Sequence, residues 1–263
     1  MTNPLFYQRI VQLDRDLHSK LKLRPLGNLA FAADTALVPL LSNEFVHAAR
    51  EYPIAFMRNA DQQLVPVVLT GVPGGRNVYV DAVGQWQARY VPAYVRRYPF
   101  VFAEIGTDQL TVCFDEACDA LGESEGLPLF EETGEAGSAL GPVLALLTEY
   151  QRQALLTQSF MQRLEASGLL MEANAKADLA DGRSLALTGF WIVDESRLKD
   201  LPEATLKDWF ASGELGLVYA HLMSLGNFLE LVRRQPQAQP APEPALPLAA
   251  TAKAQSAKQR NKR

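Results

Sequence analysis

Sulfur and imidazole are scarce in this chain: its 263 residues hold two cysteines and three histidines. A zinc site needs three or four convergent ligands, so two thiols cannot complete one alone. Cys113 and Cys118 also lack the Cys-x-x-Cys spacing of a redox pair. Cys113 falls in the apolar run Leu110–Phe114 and is expected to be a buried small hydrophobe, whereas Cys118 is expected near the surface. His18, His47 and His221 stand on separate stretches, outside any HExxH or His-x-His pattern, so neither a metal nor a cofactor is expected. The glycine signatures of phosphate-binding loops and the GxSxG elbow are missing too. Gly71–Gly75 is rich in glycine, but Pro73 removes an amide donor and the stretch reads as a turn between strands.

Long apolar runs are also missing. The longest candidate, Leu215–Leu229, is interrupted by His221, Ser224, Gly226 and Asn227 and falls short of the run of about 18 residues that spans a bilayer. Residues Met1–Tyr7 show no basic region followed by an apolar stretch. Both observations lead to the expectation of a cytoplasmic protein without a transmembrane segment. Positive charge is concentrated at one end. The net charge is -5, yet Gln235–Arg263 sets Lys253, Lys258, Arg260, Lys262 and Arg263 against Glu243 alone. That segment carries +4, which leaves -9 on the rest. An acidic body argues against general nucleic-acid binding, where phosphate neutralisation dominates affinity. The basic end reads either as a solubilising tail or as a contact for RNA or anionic lipid.

What the chain does contain is a phrase used twice. Arg50, Tyr52-Pro53 and Phe56 precede the apolar run Leu64–Leu69; forty-six residues later Arg96, Tyr98-Pro99 and Phe102 precede Leu110–Phe114. Each copy reads as a short amphipathic helix, a proline-limited junction and two strands joined by a polar turn. In the first copy, Ser42 is the expected N-cap of a helix through Arg50, with Phe45, Val46 and Ala49 on one face. Ile54–Met57, Leu64–Thr70 and Asn77–Val80 are expected strands. In the second, Arg89–Arg97 is the expected helix, and Phe100–Glu104 and Gln109–Asp115 are strands about a turn at Gly106–Asp108.

Glu116–Ala139 reads as an acidic, glycine-rich loop. Gly141-Pro142 opens a helix to Ser167, with Val143, Leu147, Tyr150, Ala154, Met161 and Leu164 on its buried stripe and Gly168 as its stop. A linker then leads to a hairpin about Asp181-Gly182, with Phe190–Val193 as a further strand. Asp200 is the expected N-cap of a helix bearing Leu206, Trp209 and Phe210, and Glu214–Arg234 is the last helix. Beyond Gln235 the Pro/Ala/Gln composition cannot form a core. The fold class is α+β: a mixed or antiparallel sheet built partly from the two helix–Tyr-Pro–hairpin repeats, packed against C-terminal helices. The expected organisation is a repeat-containing region at 1–139, a helix–hairpin–helix region at 140–234 packed onto it, and a disordered tail at 235–263.

No reactive centre stands out. On a helix, Tyr90, Tyr94, Arg97 and Tyr98 share or border one side, with Arg96 beside them. That pattern suits peptide carboxylates, anionic ligands or a protein partner, because tyrosine and arginine concentrate in binding hot spots. The competing reading puts Tyr94 and Tyr98 in the core and pairs the arginines with the acidic body. Asp115, with Glu116 and Asp119, could house an acid/base pair or a hard cation, though without the twelve-residue calcium-loop pattern, and Tyr219 and His221 a proton shuttle. A solvated loop and a hydrogen-bonded core histidine are the alternatives. Arg50 and Arg96 are candidate braces within each repeat.

The phrases Glu51-Tyr52-Pro53-Ile54, Tyr90-Val91-Pro92, Arg96-Arg97-Tyr98-Pro99-Phe100 and Tyr219-Ala220-His221-Leu222 resemble the SapC-like family of bacterial proteins. Leu13-Asp14, the Asp181-Gly182 hairpin, Gly189-Phe190 and Val193-Asp194-Glu195 extend the similarity over residues 3–233. The resemblance implies an accessory or substrate-presenting factor found with iron-uptake receptors, cupin-like proteins and flavin-dependent halogenase-like proteins. It implies an association with surface layers as well, and it supplies no catalytic residue to carry over. The leading expectation is an accessory protein that binds a peptide or protein partner. The alternatives are an enzyme whose site is assembled from Asp115, Tyr219 and His221, and a surface-layer structural component.

Overall fold

Prolines and alternating apolar residues set the first half of the chain. The computed structural model describes residues 4–104, 110–178 and 184–235. Its first strands are β1 (Ile10–Gln12), β2 (Lys22–Leu23) and β3 (Leu37–Pro39). Helix α1 (Phe45–Ala48) leads into β4 (Ile54–Arg58) and β5 (Leu64–Leu69), and α2 (Ala93–Arg96) into β6 (Phe100–Glu104) and β7 (Leu110–Asp115). Short strands β8 (Leu121–Gly122) and β9 (Leu127–Pro128) precede the long helix α3 (Leu140–Ala166). Then come β10 (Leu170–Asp178), β11 (Ser184–Val193), α4 (Glu203–Ser212), α5 (Glu214–Ser224) and α6 (Phe228–Arg233).

The class is α+β with antiparallel sheets. Five strands order as β10-β11-β4-β5-β3, three as β1-β7-β6, and three short ones as β8-β2-β9. The two expected hairpins therefore lie in different sheets, a correction to the single sheet read from the sequence. Their neighbours decide this. In β4, Ile54, Ala55 and Phe56 are all buried, as a strand covered on both faces must be. The β6–β7 pair alternates instead. Phe100 and Phe114 join a cluster with Leu129, Leu140 and Leu147, while Val101 and Cys113 point to the opposite face with Tyr7 and Cys118. Cys118 is 5% exposed, so it is a core residue, contrary to the surface position expected for it. In register, Ile54 pairs with Val68 and Arg58 with Leu64; Phe100 pairs with Phe114 and Glu104 with Leu110.

Several boundaries differ from expectation for local reasons. Ser42 lies buried in a 3-10 turn (Ser42–Glu44) and donates its amide to Thr157 Oγ1 at 2.8 Å, so it is not a helix cap. Helix α1 buries Phe45 and Ala48 and leaves Val46 exposed. Asn77–Val80 is no strand, because the Asn77 side chain takes the Tyr79 amide and donates to Ala32 O, replacing ladder bonds. The 116–139 segment contributes β8 and β9, one on each side of β2. The expected linker after Gly168 is β10, and Phe190–Val193 is the end of β11 rather than a separate strand. The turns at Gly106–Asp108 and Asp181-Gly182 lie outside the described residues.

At the C-terminal side, Leu201 is extended because it precedes Pro202, so α4 starts at Glu203 and Asp200 belongs to the 3-10 turn before it. Trp209 is buried and Phe210 exposed. The expected single last helix is interrupted by a 3-10 turn at Leu225–Asn227, where Asn227 Nδ2 donates to Ala49 O (2.7 Å) and Tyr52 O (3.1 Å). By length and composition alone, Glu214–Arg233 is long and apolar enough to cross a membrane, with a mean hydropathy of 1.4. The main core spans these parts, joining Phe45, Tyr52, Phe56, Phe160, Trp209 and Leu231.

Candidate functional site

Pro92 sets the geometry around Tyr90. It forms the extended N-cap of α2, so Tyr90 precedes the helix and does not share a face with Tyr94 and Arg97. Glu44, only 3% exposed, holds this junction together. Its Oε2 accepts the Leu41 amide (2.8 Å), and its Oε1 accepts both the Ala93 amide (2.7 Å) and the Tyr90 hydroxyl (2.6 Å). Burial first, and the Glu44 carboxylate second, raise the Tyr90 phenol well above its ordinary range, so it remains a hydrogen-bond donor at neutral pH.

Tyr90 is the wall of an open pocket of about 470 Å3 lined also by His47, Arg50, Glu51 and Arg89. The His47 ring stacks on it with centroids 5.5 Å apart, and the Arg96 guanidinium stands 5.9 Å from its centroid. Arg96 is braced by a bond from Nε to Val91 O (3.0 Å). Glu51 accepts the Arg89 amide on both oxygens, at 2.8 and 3.0 Å. Among the described residues, the exposed guanidinium groups of Arg50 and Arg89 have no ion-pair partner, so Arg50 does not act as the expected brace. The arrangement offers a planar donor set beside an aromatic wall, suited to carboxylate or phosphate groups.

The other half of the Arg/Tyr phrase faces inward. Tyr94 and Tyr98 are each 8% exposed. The half-buried Arg97 guanidinium lies between the rings of Tyr94 (4.0 Å) and Tyr150 of α3 (4.6 Å). Tyr94 Oη accepts the Leu5 amide, and Tyr98 Oη donates to Asp115.

The three residues weighed for catalysis lie apart. Asp115 is fully buried and accepts the amides of Gln8 (2.9 Å), Arg9 (2.8 Å) and Ala117 (3.2 Å) as well as the Tyr98 hydroxyl (3.2 Å). His221 is fully buried against Phe56, and its Nε2 accepts the Val193 amide at 3.1 Å. Burial lowers its pKa from 6.5 to about 4, so the ring is neutral. Tyr219, on the outer side of α5, is 48% exposed. Burial pushes both cysteine thiols up, away from the thiolate form a nucleophile needs. Among the described residues, no group of three or more His, Cys, Asp or Glu is placed to hold a metal ion.

Sequence reasoning missed Glu44 and His47 as parts of this site. The sequence carried no capping-box signal for Glu44, because Leu41 has no side-chain acceptor and only the Glu44 carboxylate reaches back, to the Leu41 amide. No curated protein and no solved structure shows significant similarity to the chain. A model of the SapC family matches residues 13–231, which take in α1, the Tyr90 pocket, α3 and the C-terminal helices, and the chain belongs to that family.

Proposed function

We propose that this protein is an accessory factor that binds an acidic segment of a protein or peptide partner in the Tyr90 pocket. One observation carries this reading. In a body with a net charge of -9, His47, Arg50, Arg89 and Arg96 gather around one tyrosine, and among the described residues the guanidinium groups of Arg50 and Arg89 have no ion-pair partner. Such a local reversal of sign attracts and orients an acidic segment. The pocket's rigid backing through Glu44 reduces the ordering cost of binding. Cupin-like and flavin-dependent halogenase-like proteins, which the family resemblance suggests as neighbours, are the first partners to examine for substrate presentation.

The helix–Tyr-Pro–hairpin segments are, on this reading, one unit used twice. Their strand pairings support it: the pairs Ile54 with Val68 and Phe100 with Phe114 are related by the same forty-six-residue shift as the sequence phrases. The first unit lines the pocket with His47 of α1 and with Arg50 and Glu51, which follow that helix.

The test is capture of partners by the full chain from native lysate, identified by mass spectrometry, beside an Arg50→Ala/Arg89→Ala variant. A glutamate-rich peptide titrated against both proteins supplies the direct probe. The expected result is a stoichiometric partner and peptide binding, both weakened at least about tenfold in the variant while its thermal midpoint is unchanged. Equal binding by the two proteins removes the pocket from the interface.

A further inference from the structure

Between α3 and the turn that joins β4 to β5 runs an open groove of about 480 Å3, which the Tyr90 pocket does not share. One stripe of α3 lines it, from Tyr150 through Thr157 and Met161 to Glu165. The groove is therefore elongate, since that stretch of helix rises about 22 Å. Leu40, Leu64 and Met161 are buried and give it an apolar floor. Gln158 and Gln162 line it from α3, one helical turn apart, and Gln62 and Gln63 line it from the turn. All four are exposed, and among the described residues their side-chain amides have no hydrogen-bond partner. Among the described lining residues only Glu165 is charged, and it pairs with Arg58 at 2.8 Å.

The turn carries a second sign of use. Gln62 adopts φ +61, in the left-handed region that glycine occupies without a steric penalty. Its neighbours hold it there. Asn59 O accepts the Gln62 amide, Asn59 Oδ1 accepts the amides of Asp61 (3.0 Å) and Gln63 (2.9 Å), and the Arg58 guanidinium donates to Gln62 O. The chain thus keeps a strained glutamine where glycine fits better, and that glutamine lines the groove. A glutamine amide offers a donor and an acceptor side by side, the same pair as a peptide unit. Peptide units on one side of an extended strand recur about every 6.8 Å, and the helical turn between Gln158 and Gln162 rises about 6 Å. We propose that the groove binds an extended, uncharged segment of a partner polypeptide, about six residues long, by pairing its backbone with these glutamine amides. Alternate side chains of the segment rest on Leu40, Leu64 and Met161. A charged segment would find no free counter-charge in the lining, in contrast to the Tyr90 pocket.

Equilibrium dialysis tests this. The full chain is dialysed against a pool of capped hexapeptides built from Gln, Ser, Ala, Val and Leu, with maltohexaose in parallel as an uncharged oligomer without amides. Retained peptides are identified by mass spectrometry and titrated against the native chain and its Gln62→Gly, Gln158→Ala/Gln162→Ala and Arg50→Ala/Arg89→Ala variants. Peptides are expected to be retained, with affinity lowered at least about tenfold in Gln158→Ala/Gln162→Ala and at least about threefold in Gln62→Gly. The thermal midpoint of Gln62→Gly is expected not to fall, which separates a ligand-binding role from a structural one. Arg50→Ala/Arg89→Ala is expected to bind the peptides as the native chain does, so this groove and the Tyr90 pocket stand or fall separately. Retention of no peptide, whether or not maltohexaose is held, overturns the proposal. So does affinity that either glutamine variant leaves unchanged, or equal affinity for peptides N-methylated on alternate amides, which cannot pair through the backbone.

Discussion

His221 is a titratable ring enclosed by Phe56, β11 and its own helix, and its acid–base behaviour is readable as stability. Its pKa falls from 6.5 in the unfolded chain to about 4 in the fold. Between those values the unfolded chain takes up a proton that the native ring refuses. The contribution is therefore complete above pH 6.5 and is lost as pH falls toward 4, on the order of 3 kcal/mol in all. Urea midpoints at pH 7 and pH 4.5 measure it, and His221→Gln is expected to lose less on acidification than the native chain. Asp115 carries a different expectation. Removing a carboxylate that satisfies three amides and a phenol strands those donors, so Asp115→Ala is expected to cost on the order of 3 kcal/mol by denaturant unfolding. Both residues were visible in the sequence as polar groups in unusual company. Their partners were not, because Val193 lies 28 residues from His221 and Gln8 lies 107 from Asp115. The pocket was half legible for the same reason: Tyr90 and Arg96 stand in one phrase, whereas His47 and Glu44 reach them only through folding.

Between elements, Arg97 clamps α2 to α3 by lying between two tyrosine rings. Replacing it with Ala is expected to cost about 1–3 kcal/mol, and Lys to restore only part, since an ammonium cannot stack as a planar guanidinium does. Thermal unfolding of Arg97→Ala, Arg97→Lys and the native chain decides this; equal midpoints for all three would mean that the rings hold the helices without it. At the α4–α5 junction Gly213 adopts φ +83, with open space where a Cβ would sit. Gly213→Ala is thus expected to cost about 1 kcal/mol from backbone strain alone, read as a lowered midpoint. Elements whose signals are local were legible: β4, β5 and β6 between their prolines and turns, and α3 from Gly141-Pro142 to Gly168. Strand β10 was not, because it is an edge strand of a sheet and its sequence mixes Glu172, Asn174 and Lys176 among alanines. Strands β8 and β9 were missed because each is two residues long and depends on β2 for every bond.

Across the whole molecule, sign of charge separates three regions: an acidic body, a cationic pocket and a basic end. If the pocket recruits by charge, raising ionic strength from about 0.05 to about 0.5 M is expected to weaken binding of a glutamate-rich peptide at least about tenfold, because the Debye length shrinks several-fold. Isothermal titration at the two salt levels measures it, and a flat response would assign the affinity to Tyr90 packing. The α+β class and the C-terminal helices followed from composition and periodicity, but the division into separate sheets did not, since strand partners are chosen by tertiary packing. That division has a consequence for the order of assembly. Among the described residues strand β1 pairs only with β7, and the amides of Gln8 and Arg9 bond Asp115 at the end of β7. On a ribosome, the leading strand therefore emerges about a hundred residues before its partner and stays unpaired throughout that interval, so the smaller sheet closes by a late return of the chain's beginning to its middle.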